Sequence, residues 1–67
     1  MFTAKRIRAQ LTRRQREVLD AMPFRGGVEA PASPRTMIAL QEAGVVRFDG
    51  ALYFLTSLGD YAQAAGE

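Results

Sequence analysis

The chain has 67 residues, which is enough for one domain, 1–67, and excludes two. It contains no Cys and no His, so disulfides and thiolate metal sites are excluded and the commonest general base is missing. The net charge of +2 conceals an asymmetry, because residues 1–16 carry +6 without a single acid and residues 17–67 carry −4. This distribution predicts a polyanionic partner for the N-terminal part of the chain.

The opening segment, MFTAKRIRAQ, is charged by the fifth position and never becomes an apolar run, which argues against a signal peptide. No stretch approaches the roughly 18 apolar residues that a membrane-spanning helix needs. The sequence therefore predicts a soluble cytoplasmic protein without a membrane partner.

Residues 1–10 form either a basic N-terminal arm or an extension of the helix that follows. Thr12 and Gln15 match a capping box at the start of that helix, and Pro23 predicts its end at the preceding residue. A single helix over residues 3–22 is the alternative, since no Gly or Pro interrupts it. The predicted inward face consists of Gln15, Val18, Leu19 and Met22.

Arg13 and Arg14 stand in the first turn of this helix, where positive charge opposes the helix dipole at about 0.3–1 kcal/mol each. Phosphate contact would explain them. The competing interpretation is that Arg is a good helix former and that Arg16 pairs with Asp20 four residues later.

Residues 23–33, PFRGGVEAPAS, are predicted to be a linker because Gly and Pro block a regular helix. Val28 could add a short third strand to the hairpin that follows. Phe24 and Val28 are the predicted core contacts. The glycine pair is not a phosphate loop, since the Lys-Ser/Thr that would complete one is missing.

Ser33 and Pro34 predict the start of the next helix as its N-cap and first helical residue. The helix is expected to run to about Ala43, with Gly44 in the left-handed position after its end. The predicted inward residues are Met37 and Leu40, with Thr36 and Ala43 beside them. The predicted outward residues are Arg35, Ile38, Ala39 and Glu42.

VVRF and ALYFL flank Asp49-Gly50, which predicts a hairpin with a two-residue type I′ turn. Val46, Tyr53 and Leu55 are expected to face inward, and Arg47, Leu52 and Phe54 outward. A last helix follows, capped by Thr56 or Ser57, with Ser57 and Asp60 in a capping-box spacing. The residues expected to pack it on the core are Leu58, Tyr61, Ala62 and Ala65.

Four segments together resemble small bacterial or phage winged helix-turn-helix proteins. They are LTRRQREVLDAM, SPRTMIALQEAGVV, the turn FDG and YFLTSLG, and they cover residues 11–62. The family places a further helix where this chain has residues 23–33. The predicted fold is therefore mainly α with a small β-hairpin, a winged helix-turn-helix with a shortened or missing middle helix.

The resemblance implies a DNA-binding transcription regulator that contacts duplex DNA. A dimer is one of the oligomeric states in which it could bind. The helix at 34–43 would enter the major groove and the hairpin would touch the backbone. The implied base contacts are Arg35, Ile38, Ala39 and Gln41. The implied phosphate contacts are Lys5, Arg6, Arg8, Arg13, Arg14, Arg16 and Arg47.

A protein-binding module is the alternative function, either a homodimer or a phage-type inhibitor or adaptor of a nucleic-acid machine. It would use an apolar patch of Ile38, Leu52 and Phe54. A competing interpretation has Phe54 covered by the N-terminal segment through Phe2 or Ile7.

Enzyme activity is not predicted. His and Cys are missing, and the two serines, Ser33 and Ser57, are both explained as helix caps. No catalytic residues, metal site or cofactor are expected.

Overall fold

Four helices and one two-stranded antiparallel hairpin make up residues 2–66, the part of the chain described by the structure, which is a computed structural model. In chain order they are α1 (Phe2–Gln10), α2 (Arg13–Ala21), α3 (Pro34–Glu42), β1 (Val46–Phe48), β2 (Tyr53–Leu55) and α4 (Ser57–Ala64). Helix α1 packs against α4, and α3 packs against α2 and β1. The prediction of a mainly helical fold with a small hairpin is confirmed.

The N-terminal segment is a helix of its own, neither an arm nor part of one helix over residues 3–22. Thr12 Oγ1 accepts a hydrogen bond from the Gln15 amide at 3.1 Å, and Gln15 Oε1 accepts one from the Thr12 amide at 3.0 Å. This is the predicted capping box. It starts α2 afresh after Leu11, so the chain breaks its helix here without Gly or Pro. The predicted end of α2 before Pro23 is also confirmed.

Residues 22–33 contain no helix. Val28 exchanges two backbone hydrogen bonds with Tyr53, of 2.8 and 3.0 Å, which make a one-residue antiparallel bridge beside the hairpin in place of the predicted short third strand. Val28 also packs against the core, as expected. The prediction that Phe24 is a core contact is wrong, because the turn at residues 24–25 carries the ring outward and leaves it 62% exposed.

Helix α3 begins and ends where the local signals place it. Ser33 is the N-cap and Pro34 the first helical residue. Gly44 has a φ of 82°, and the amides of Gly44 and Val45 donate to the carbonyls of Gln41 and Leu40. This pair of bonds is a Schellman motif, which satisfies the last carbonyls of the helix.

The hairpin faces are as predicted, but its turn lies one residue later than expected. A type I′ turn needs positive φ at Asp49 and Gly50. Among the described non-glycine residues only Arg25 has a positive φ, so Asp49 does not meet this requirement. Asp49 instead bonds across to Leu52, which leaves Gly50-Ala51 as the turn. The observed pairs are Val46 with Leu55, Arg47 with Phe54 and Phe48 with Tyr53.

This register differs by two residues from the one that an Asp49-Gly50 turn would give. Side chains alternate between faces with a period of two, so a displacement of two leaves every side chain on its predicted face. Val46 is buried, and Tyr53 and Leu55 pack against the core.

Helix α4 closes the core, and Thr56 rather than Ser57 caps it. Thr56 Oγ1 accepts from the Gly59 amide at 3.0 Å and donates to the Gly44 carbonyl at 2.5 Å, so the expected Ser57–Asp60 box is replaced. Leu58 and Ala62 pack inward as predicted. The expectation for Tyr61 and Ala65 is wrong. Both are exposed, because α4 turns the face with its small residues, Gly59 and Ala62, toward the core.

The core lies between α2, α3, α4 and the first residues of the hairpin. Its completely buried apolar side chains come from each of these elements: Leu19, Met37, Leu40, Val45 and Ala62. Burying a side chain of the size of Leu or Met contributes about 1.5–3 kcal/mol. No charged or polar residue in the described part of the chain is classed as buried.

Candidate nucleic-acid interface

The outer face of α3 is open to solvent. Met37 and Leu40 anchor the helix from the other side. Arg35, Ile38 and Gln41, three of the four predicted base-contact residues, are exposed on this helix, as is Glu42. Ala39, the fourth, is half-buried. Within residues 2–66 Arg35 forms no ion pair, so its guanidinium is available to a ligand.

Arg8 is engaged inside the protein. Its guanidinium donates to both carboxylate oxygens of Asp20, at 2.6 and 2.7 Å, and to the carbonyl of Ala62 at 3.2 Å. Only 16% of its side chain is exposed. This arrangement joins α1 to α2 and α4. The hydrogen bond from Arg8 lowers the pKa of Asp20, while the same bond raises the pKa of Arg8.

Arg16 also has an internal partner. It donates to the Leu11 carbonyl at 2.6 Å, where α1 ends. The predicted Arg16–Asp20 pair is wrong, because Asp20 is held by Arg8. Of the six predicted phosphate contacts in residues 1–16, two therefore have structural roles.

The other four cations of the N-terminal cluster are exposed. Lys5 and Arg6 lie on α1, and Arg13 and Arg14 on the first turn of α2. Arg13 has 90% of its side chain exposed. The contacts of Arg13 and Arg14 with Glu17, at 3.5 and 3.8 Å, are long for a salt bridge between exposed groups. We refer to Lys5, Arg6, Arg13 and Arg14 as the exposed cationic cluster.

The outer face of the hairpin carries Arg47 and Phe54, which are direct cross-strand partners. The Arg47 guanidinium carbon lies 4.4 Å from the centroid of the Phe54 ring. On the same ring lies Gly27, where a Cβ atom would come within 2.6 Å of Phe54 Cζ. Gly27 and Arg47 therefore both contact the Phe54 ring, which is half-buried. Ile7 packs on the core, and the side chain of Phe2 lies outside the described part.

The acidic residue at the hairpin tip has a structural role. Asp49 Oδ1 accepts hydrogen bonds from the amides of Ala51 and Leu52, both at 2.8 Å. The bond from Leu52, followed by the one from Ala51, lowers the pKa of Asp49. The carboxylate thus stabilises the turn. This role explains why the side chain at the hairpin tip is acidic and not Arg or Lys.

The predicted apolar patch is only partly exposed. Ile38 has 54% of its surface open, whereas Leu52 and Phe54 are half-buried. Other large apolar side chains are exposed elsewhere, at Phe24, Phe48 and Tyr61. The Phe48 ring is tilted against that of Tyr53 with centroids 4.6 Å apart.

Two features were not foreseen from the sequence. Gln63 of α4 donates to the carbonyls of Leu19 and Met22, at 2.9 and 2.7 Å, and so caps the end of α2. These partners are more than 40 residues apart, and no local pattern marks them. The second feature is Arg25, whose φ of 62° costs roughly 1–2 kcal/mol in a residue with a side chain. The sequence PFRGG indicates a turn here, but it only weakly indicates that Arg25 would be the strained residue.

An open groove of about 370 Å³ lies beside the Arg8–Asp20 pair, lined by Asp20, Met22, Gln63 and Gly66. Its polar side chains already bond to α1 and α2. The described residues contain no group of three or more acidic, His or Cys residues that would hold a metal ion. No helix among them is both long and apolar enough to span a bilayer.

The fold is thus a small, mainly helical domain with one hairpin, and within residues 2–66 its surface carries unpaired cations and exposed apolar side chains beside acidic ones. Comparisons with protein-family models, with curated proteins and with solved structures gave no match.

Proposed function

We propose that this protein is a winged-helix DNA-binding protein that regulates transcription. The order α2, Val28, α3, β1 and β2 is compatible with a winged helix in which the middle helix is replaced by residues 22–33. In this proposal α3 enters the major groove with Arg35, Ile38 and Gln41 toward the bases. The exposed cationic cluster and Arg47 contact phosphates.

The exposed cationic cluster is the observation that carries the proposal. Arg8 and Arg16 stabilise the fold through internal bonds, so their presence needs no ligand. Arg13 and Arg14 occupy the first turn of α2, where their charge opposes the helix dipole. Their net effect on helix stability is small, since both also have Glu17 on the same helix. Binding to a polyanion gives them a role that the fold does not.

Binding to labelled duplex DNA over a range of salt concentrations tests this function. Each neutralised phosphate contributes about 0.9 to the slope of log K against log salt. The exposed cationic cluster and Arg47 make five proposed phosphate contacts, which would together give a slope of roughly −4.5. A sizing column run in parallel reports whether the DNA-bound form is a dimer. If micromolar protein shifts no duplex even at low salt, the proposal is wrong.

A protein-binding module is the second candidate, because Ile38 is an exposed apolar residue on the same open face of α3. In this alternative α3 docks a second copy of the chain or a partner protein, with Leu52 and Phe54 contributing their exposed parts. Ile38→Asp would then abolish self-association in sedimentation or partner co-purification, and Ile38→Leu would preserve it. A monomeric wild-type chain that recovers no partner would exclude this candidate.

We infer no enzymatic activity. Among residues 2–66, no serine hydroxyl is hydrogen-bonded to a carboxylate or an amine that could act as its base. Ser33 is the N-cap of α3, and Ser57 is the first residue of α4.

A further inference from the structure

The turn at residues 24–25 holds a side chain in a strained backbone conformation. Arg25 lies in the left-handed region, and Gly26, which would adopt that conformation freely, stands one position later. Packing does not account for the arginine, since Phe24 and Arg25 are both exposed. Its guanidinium carbon lies 5.1 Å from the Phe24 ring centroid, a contact between two side chains at the surface. Strain of this kind is characteristic of binding sites.

The turn lies next to the outer face of the hairpin. Gly27 contacts the Phe54 ring, and Val28 is bonded to Tyr53. Two residues of chain span at most about 7 Å, so the backbone of Arg25 lies no farther than this from that of Gly27. On the hairpin, Arg47 lies over the same Phe54 ring. Gly27 and Arg47 thus contact the same Phe54 ring, and Arg25 lies two residues before Gly27. Arg25 and Arg47 are therefore on the same side of the molecule, although they are far apart in sequence.

Neither arginine is neutralised by a carboxylate within residues 2–66. Asp49 is near enough to Arg47 for the arginine to contribute to its lowered pKa, but its Oδ1 is directed at the turn amides. Two guanidinium groups without ion pairs, on the same side of the molecule, can bind phosphate groups. Arginine binds phosphate oxygens through its fork of N–H groups.

We propose that Arg25 is a further phosphate contact for duplex DNA, and that together with Arg47 it forms a phosphate-binding patch on the outer side of the hairpin. This inference rests on the proposed DNA-binding function. It assigns a role to the linker between α2 and α3, which has no helix and takes no part in the binding surface implied by the resemblance.

Three substitutions at residue 25 separate charge from strain. Arg25→Lys keeps the charge on a long side chain, Arg25→Gln removes the charge and shortens the side chain, and Arg25→Gly removes the charge and the strain. Urea unfolding is expected to show Arg25→Gly with a folded-to-unfolded ratio about twofold to fivefold above that of Arg25→Gln. Arg25 is exposed, so all three variants are expected to fold.

Fluorescence anisotropy with a labelled duplex, between about 50 and 200 mM salt, then measures the contact. Arg25→Gln and Arg25→Gly are each expected to reduce the salt slope by about one and to weaken binding about fivefold to tenfold near 0.1 M salt. Arg25→Lys is expected to keep the wild-type slope.

Two failures are distinguishable. If wild-type protein binds duplex and the Gln and Gly variants show the same slope and affinity, the role of Arg25 is refuted and the DNA-binding function stands. If the wild-type protein itself binds no duplex, both the function and the contact are refuted.

Discussion

Individual polar side chains join the helices of this small fold. Arg8 reaches from α1 to Asp20 on α2 and to the Ala62 carbonyl on α4. Gln63 reaches from α4 to the carbonyls at the end of α2. A chain of this length buries only about 60% of the surface that its unfolded form exposes, so a few such bonds form a large part of its net stability.

Gln63→Ala is expected to lower the free energy of unfolding by about 1–2 kcal/mol, because the Leu19 and Met22 carbonyls lose their donor in a partly buried site. Chemical denaturation measures the change. Gln10→Ala is the matched control, since Gln10 is exposed on α1 and makes no side-chain hydrogen bond with the described residues. Equal stability of the two variants would contradict the capping role of Gln63.

The Arg8–Asp20 pair predicts acid sensitivity. The pKa of Asp20 is lowered in the folded state, chiefly by the hydrogen bond from Arg8. Its stabilisation is therefore complete above the ordinary value of 3.8 and is lost as pH falls through the lower folded value. Asp20→Asn is expected to cost about 0.5–1 kcal/mol at neutral pH, a small amount because the carboxylate is partly exposed.

Unfolding free energies measured from neutral pH down to pH values below 3.8 test this expectation. The wild-type protein should lose more stability on acidification than Asp20→Asn does. Glu29→Gln serves as the control, since Glu29 is exposed and forms no ion pair within residues 2–66. Parallel pH curves for the wild-type protein and Asp20→Asn would show that the pair contributes nothing.

At the scale of elements, the boundaries of the helices follow from short patterns. Thr12 with Gln15, Ser33 with Pro34, and Gly44 each act through residues no more than a few positions away, which is why they could be predicted from the sequence. The alternation of the strands likewise fixed the faces of the hairpin. The position of its turn could not be predicted, because it depends on a side chain. The Asp49 carboxylate, and not a backbone carbonyl, accepts hydrogen bonds from the amides of Ala51 and Leu52.

Thr56 connects two elements through one hydroxyl, since it caps α4 and also bonds to the carbonyl of Gly44 after α3. Thr56→Val keeps the shape and removes both bonds, and we expect a loss of about 1–2 kcal/mol. Ser57→Ala is expected to change stability by less than about 0.5 kcal/mol, because Ser57 is exposed and is not the cap. Thermal or urea unfolding of both variants would contradict this assignment if Ser57→Ala were the more damaging change.

At the scale of the whole molecule, the basic residues fall into two groups with different roles. Arg8 and Arg16 are bonded within the fold, whereas the exposed cationic cluster, Arg25, Arg35 and Arg47 have no strong ion pair among the described residues. Composition alone predicted a basic N-terminal region but could not divide it. The partners of Arg8 lie 12 and 54 residues away, and only the folded chain brings them together.

This division predicts opposite effects for two charge-removing changes. Arg13→Gln together with Arg14→Gln should reduce the salt slope of DNA binding by about two and leave the stability nearly unchanged. Arg8→Gln should lower the stability and leave the slope unchanged at temperatures where the variant is folded. Salt-dependent anisotropy and urea unfolding on the same samples measure both effects. A fall in slope for Arg8→Gln alone would reverse the assignment.

The hairpin register is set by strand pairs that lie outside its tip. Val46 pairs with Leu55 and Phe48 with Tyr53, so a loop of about three to five residues in place of Gly50-Ala51 leaves Val46, Tyr53 and Leu55 turned to the core. Loops of different length can therefore be exchanged at this site without redesigning the domain. A library of such loops, enriched in Lys or Arg, would convert the hairpin tip into a place where binding preference can be varied independently of the fold.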